Sequence, residues 1–111
     1  MSCKARASVA ACLAFGLLAL AGCEVSLPQP NAADAARLHG SGAELGLQDL
    51  ELGRALYSSR CGSCHALRDP ASERPEAWGA EVHEMRAKKG VRLTDDEEQR
   101  ITAYLVSISS R

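Results

Sequence analysis

Aromatic side chains are scarce in this 111-residue chain: one Trp, two Tyr and one Phe make up 4% of its positions. A core with so few large rings is thin, and a domain of this size commonly draws on a metal, a cofactor or crosslinks for part of its stability. A clear strand pattern is missing too, which removes the βαβ units of a redox fold built on a sheet. There is no basic surplus. Lys and Arg number 13 against 14 Asp and Glu, a formal charge of −1, so nucleic acid is not an expected partner. The longest apolar run, Val9 to Leu20, falls short of the roughly 20 residues that cross a bilayer.

What is present begins with a leader. Lys4 and Arg6 precede that apolar run, and small residues follow it up to Cys23, the three-part pattern of an export signal. Leu20-Ala21-Gly22-Cys23 resembles the lipobox of bacterial lipoproteins. The resemblance implies cleavage of residues 1–22, acylation of Cys23 and a chain held to the membrane by lipid; an ordinary secretory leader, with Cys23 incidental, is the alternative. With the leader go Cys3 and Cys12, and lipid would take Cys23, leaving only Cys61 and Cys64. Losing Lys4 and Arg6 also leaves 11 basic residues of the original 13 against 14 acidic ones, a mature charge of −3.

Residues 23–46 mix Pro28 and Pro30 with Ala, Gly, Ser and Asn and read as a flexible tether, with at most a passing helical turn from Ala32 to Leu38. His39 lies within it and is expected to be solvated. Residues 47–111 form the folded unit, an all-α domain. Its first helix carries Leu52, Ala55 and Leu56 at helical spacing, with Asp49 and Glu51 near the positive end of the dipole. The second starts at Pro75, stops by Gly90, and places Trp78, Val82 and Met85 on one face, with His83 nearly opposite between Glu81 and Glu84. The third opens on Thr94 and Glu97 in capping-box spacing and continues with Ile101, Tyr104, Leu105 and Ile108.

Between the first two helices stands Cys61-Gly62-Ser63-Cys64-His65. A thioredoxin-like pair needs a strand beside the motif, and none is expected. A structural zinc site needs four protein ligands, which would have to include His39, His83 or a carboxylate. A c-type haem needs two thiols spaced for the two vinyl groups and an adjacent imidazole for the iron, as found here. Zinc and a redox disulfide remain the alternatives.

The helix with Gly53 and Leu56-Tyr57, then CGSCH, then a helix with Met85, then a helix with Tyr104-Leu105, resembles a small class I cytochrome c over about Gln48 to Ser109. The resemblance implies helices wrapped around one covalent haem c, Cys61 and Cys64 as thioether sites and His65 as proximal iron ligand. It also implies a crossing of the first and last helices near Gly53, and electron transfer as the function. Met85, the only methionine left in the mature chain, is the expected sixth ligand although it sits in a helix; its other role would be a gap-filler of the core. The expected protein is a lipid-anchored electron carrier facing the periplasm or the cell exterior, with redox proteins and the bilayer as partners and no enzymatic activity. Its rival is a haem-based small-gas binder with a vacant or labile sixth site.

Overall fold

The computed structural model describes residues 25–111. Four helices are arranged in chain order: α1 (Ala32–Gly40), α2 (Leu47–Leu56), α3 (Pro75–Lys88) and α4 (Asp95–Ser109), with a π-helical turn at Tyr57–Cys61 and a 3-10 turn at Pro70–Ser72. No strand occurs among the described residues, so the chain is all-helical as its patterning implied.

The last helix organises the rest. Its start is fixed reciprocally: Glu97 N–H donates to Thr94 Oγ1 at 3.1 Å while Thr94 N–H donates to Glu97 Oε2 at 2.9 Å. From there Ile101, Tyr104, Leu105 and Ile108 fall on one stripe and are buried. On that stripe α4 receives α2 and α3. Where α2 crosses it, a Cβ built on Gly53 would stand 2.1 Å from the Arg100 carbonyl oxygen and 3.0 Å from Tyr104 Cβ. Only a residue without a side chain permits that approach.

The close approach at Gly53 also decides which face of α2 is inside. Leu50, Gly53 and Tyr57 are buried, spaced i, i+3 and i+7, whereas Leu52 is 44% exposed. The Leu52 and Leu56 face suggested by the sequence is therefore not the central one. Leu56 packs only at the margin of the core.

The larger departure lies at the amino-terminal side. Residues read as a flexible tether are folded from Leu27 onward. Asn31 caps α1 by accepting from the N–H groups of Ala33 and Asp34 at 2.9 and 3.2 Å, and Asp34 returns a bond from Asn31 N–H at 2.7 Å. Ala35 and Leu38 are buried and the helix packs on α4. Ahead of it the chain is extended, and the prolines that suggested looseness instead leave a row of carbonyls as the groups to satisfy. Each finds a distant donor: Leu27 O accepts from Arg54 at 3.0 and 3.1 Å, Pro28 O from the Tyr104 hydroxyl at 2.8 Å, and Gln29 O from Arg111 at 2.9 Å. Asp34 is fully buried and is held by Arg111 at 2.7 and 3.1 Å and by Arg37. A buried carboxylate without such partners would be strongly unfavourable. The folded unit therefore begins about twenty residues before the boundary suggested by the sequence.

Candidate haem site

The α2 helix does not end cleanly before the motif. It widens into the π turn Tyr57–Cys61, and Gly62 N–H then closes on Ser58 O at 3.2 Å. Such turns recur at functional positions. A Cβ on Gly62 would lie 2.5 Å from Ser58 O, so the turn is tight enough to exclude a side chain without movement. It delivers Cys61 half-buried and Cys64 exposed, both as free thiols.

These thiols border a cleft of about 360 Å³ that Cys61, Cys64, His65, Trp78, Val82 and Met85 line together. The CGSCH turn supplies one side and α3 another, with buried Tyr57 and Leu105 also contributing. The volume lies near the lower end of the roughly 300–1,000 Å³ typical of ligand pockets. The exposed cations Arg60 and Lys89 stand at its margin.

His65 is exposed, with Nδ1 2.9 Å from the Ala66 carbonyl oxygen. A carbonyl only accepts, so Nδ1 carries the hydrogen and Nε2 is left with a free lone pair. That is the tautomer a metal-binding histidine needs, oriented by a hydrogen bond through its other nitrogen.

Beneath the cleft the aromatic residues are fixed by polar contacts. Trp78 Nε1 donates to Pro70 O at 3.1 Å, the Tyr57 hydroxyl donates to Arg68 O at 2.9 Å, and the two rings meet edge to face with centroids 6.4 Å apart. Both bonds end on the loop that follows His65, so the two rings hold that loop in place. Arg68 lies 5.5 Å over the Trp78 ring and pairs with Glu73 and Glu81. Such a cation–ring contact adds about 0.5–1 kcal/mol at an exposed site. Tyr57 was legible only as part of a family pattern. Its position four residues before Cys61, one helical turn away, is the signal that places it beside the thiol.

The histidines separate. His83 is on the far side of α3, 68% exposed at its side chain, with Nδ1 2.9 Å from Glu98 Oε1; His39 is exposed in the last turn of α1. Neither lines the cleft. Glu81, one turn before Met85, lines it as well. Glu84 does face water, pairing with Lys88 at 3.7 Å. Cys23 lies outside the described residues.

The donor set can be tested against each chemistry. Burial, and then the neighbouring Cys64, push the Cys61 thiol above its ordinary range, whereas an attacking redox cysteine has a lowered value. Among the described residues no three His, Cys, Asp or Glu side chains come together to hold a metal, as a tetrahedral zinc cage would require. A covalent haem asks less of the protein as ligand. The two thiols would hold its periphery and His65 and Met85 could serve its iron, so the residues present fit it. Comparison with protein-family models, curated proteins and solved structures finds no match to this chain.

Proposed function

We propose that this chain is a lipid-anchored, monohaem c-type cytochrome that carries one electron at a time between redox proteins of the membrane or periplasm. The observation that carries the proposal is the convergence on one cleft of two free thiols, His65 with its Nδ1 turned to a backbone carbonyl, and Met85. When bound, the haem supplies a one-electron iron couple. Cys61 and Cys64 would attach it, His65 and Met85 would ligate the iron, and Trp78, Val82 and Leu105 would exclude water. A thioether ligand favours the ferrous state, and burial among apolar groups does the same by disfavouring added positive charge. No side chain in the cleft is asked to make or break a bond of a substrate, so the proposed role is transfer and not catalysis.

Lipidation is carried by the Leu20-Ala21-Gly22-Cys23 sequence directly after the apolar run. Among the described residues no helix is long and apolar enough to cross a membrane.

The test is an optical spectrum of the purified protein, oxidised and reduced, followed by acid-acetone extraction. Retention of pigment on the polypeptide supports covalent haem at the two cysteines. Complete release of pigment, or one zinc ion per chain in its place, would sink the proposal. Ready binding of carbon monoxide by the wild-type reduced protein would move the function to gas binding.

A further inference from the structure

The amino-terminal arm changes what the lipid anchor can do. A loose segment from Cys23 to Gly46 would let the folded unit roam up to about 80 Å from its attachment point at roughly 3.5 Å per residue. The segment is not loose. Leu27 is only 8% exposed, its carbonyl is held by two bonds from Arg54, and the next two carbonyls are held by Tyr104 and Arg111. Four peptide units separate Cys23 from Leu27, and they reach at most about 14 Å. The headgroup layer on each side of a bilayer is itself about 5–8 Å thick, so a leash of that length ends barely beyond it.

The docked arm also fixes which face is held there. Leu27 and Val25 form one side of an open hollow of about 780 Å³ whose other side is Arg54, Ser58, His65 and Leu67. The start of the docked arm and the turn bearing the motif are thus neighbours. The groove between α1, α3 and α4, lined by Leu38, His83 and Gln99 among others, is a different surface that the arm does not approach.

We infer that the folded unit sits directly on the bilayer that carries its anchor, with the face around Leu27, Ala55 and the loop after His65 turned to phospholipid headgroups. This rests on acylation of Cys23 under the proposed function. Its occupant is the lipid surface itself, and the α1–α3–α4 groove is left facing water.

Photo-crosslinking tests it. Ala55→Cys and Gln99→Cys each introduce one thiol at an exposed position, on the two different surfaces. The lipidated full-length variants carry benzophenone maleimide at that thiol and are reconstituted in phosphatidylethanolamine and phosphatidylglycerol vesicles. Lipid adducts are counted by mass spectrometry, with the N-terminal acyl mass and the optical spectrum read on the same sample. Position 55 should give at least tenfold more adduct than position 99, and a Gly/Ser spacer of about 20 residues inserted after Glu24 should reduce it several-fold. Equal yields from both positions on an acylated, pigmented protein overturn the inference and leave the electron carrier standing. Absence of the acyl group overturns inference and anchor together. In an acylated protein without haem Cys61 and Cys64 take the reagent too, so adducts are assigned by peptide mapping, and crosslinking that maps to position 55 supports the membrane face and removes the cytochrome.

Discussion

Two side chains two residues apart, on opposite sides of α3, carry the sharpest consequence. Met85 and His83 are both chemically able to ligate iron, but only Met85 reaches the cleft, while His83 is engaged with Glu98. Met85→Ala should abolish the weak far-red band of a thioether–ferric bond, lower the potential and let carbon monoxide bind the reduced iron. His83→Ala should leave all three readings unchanged. A vacated site in the His83 variant would show the opposite assignment. Gly53 gives a prediction of another kind, since it does not line the cleft. Gly53→Ala drives a methyl group into the Arg100 carbonyl, 2.1 Å from where its carbon must lie, and backbone cannot step aside as a flexible side chain can. Overpacking of this severity should destabilise by about 3 kcal/mol, read as a lowered midpoint of denaturant unfolding.

At the scale of elements, the arm and α1 are joined to α4 through groups that titrate. The Arg111 guanidinium, with help from the Asn31 N–H and against burial, holds the Asp34 carboxyl below its ordinary value of 3.8. A lowered value in the folded state means that the stabilisation is complete above the ordinary range and is lost as pH falls through the folded value. On the alkaline side the burial of Tyr104 pushes its hydroxyl up to about 12 from 10.0, so its contribution is full below pH 10 and is lost as pH rises from there towards 12. The arm should therefore loosen at both extremes. Asp34→Asn removes the charge that Arg111 answers and should cost about 2–3 kcal/mol at neutral pH while flattening the acid limb of the stability curve. Amide exchange across residues 32–40 should speed up at the same time. A variant with unchanged midpoint and unchanged exchange would show that the ion pair is dispensable. None of this was legible in the sequence. Asp34 and Arg111 lie 77 positions apart, and Pro28 and Pro30 say that donors are missing without saying where donors will come from. By contrast α4 was fully legible, because its cap and its apolar stripe are both local patterns, and so was the face of α3 that carries Trp78, Val82 and Met85.

For the molecule as a whole, the motif turn and the Met85 face of α3 could be read from spacing, whereas their meeting on one cleft depends on how α2 and α3 are set against α4. That setting comes from Gly53 and from the bonds of Tyr57 and Trp78 to the loop, neither of which periodicity reports. The anchor stands apart from all of this, as it belongs to sequence alone. Cys23→Ala should move the protein from the membrane to the soluble fraction with its spectrum unchanged; a variant still sedimenting with membranes would show that another feature holds it there. The crossing at Gly53 has one more consequence, for genetics. In a library of random variants scored by the loss of red colour, colonies altered at position 53 should appear beside those altered at Cys61, Cys64 and His65, although that position does not line the cleft. Only a second score, for the amount of folded polypeptide, would tell the two classes of pale colony apart.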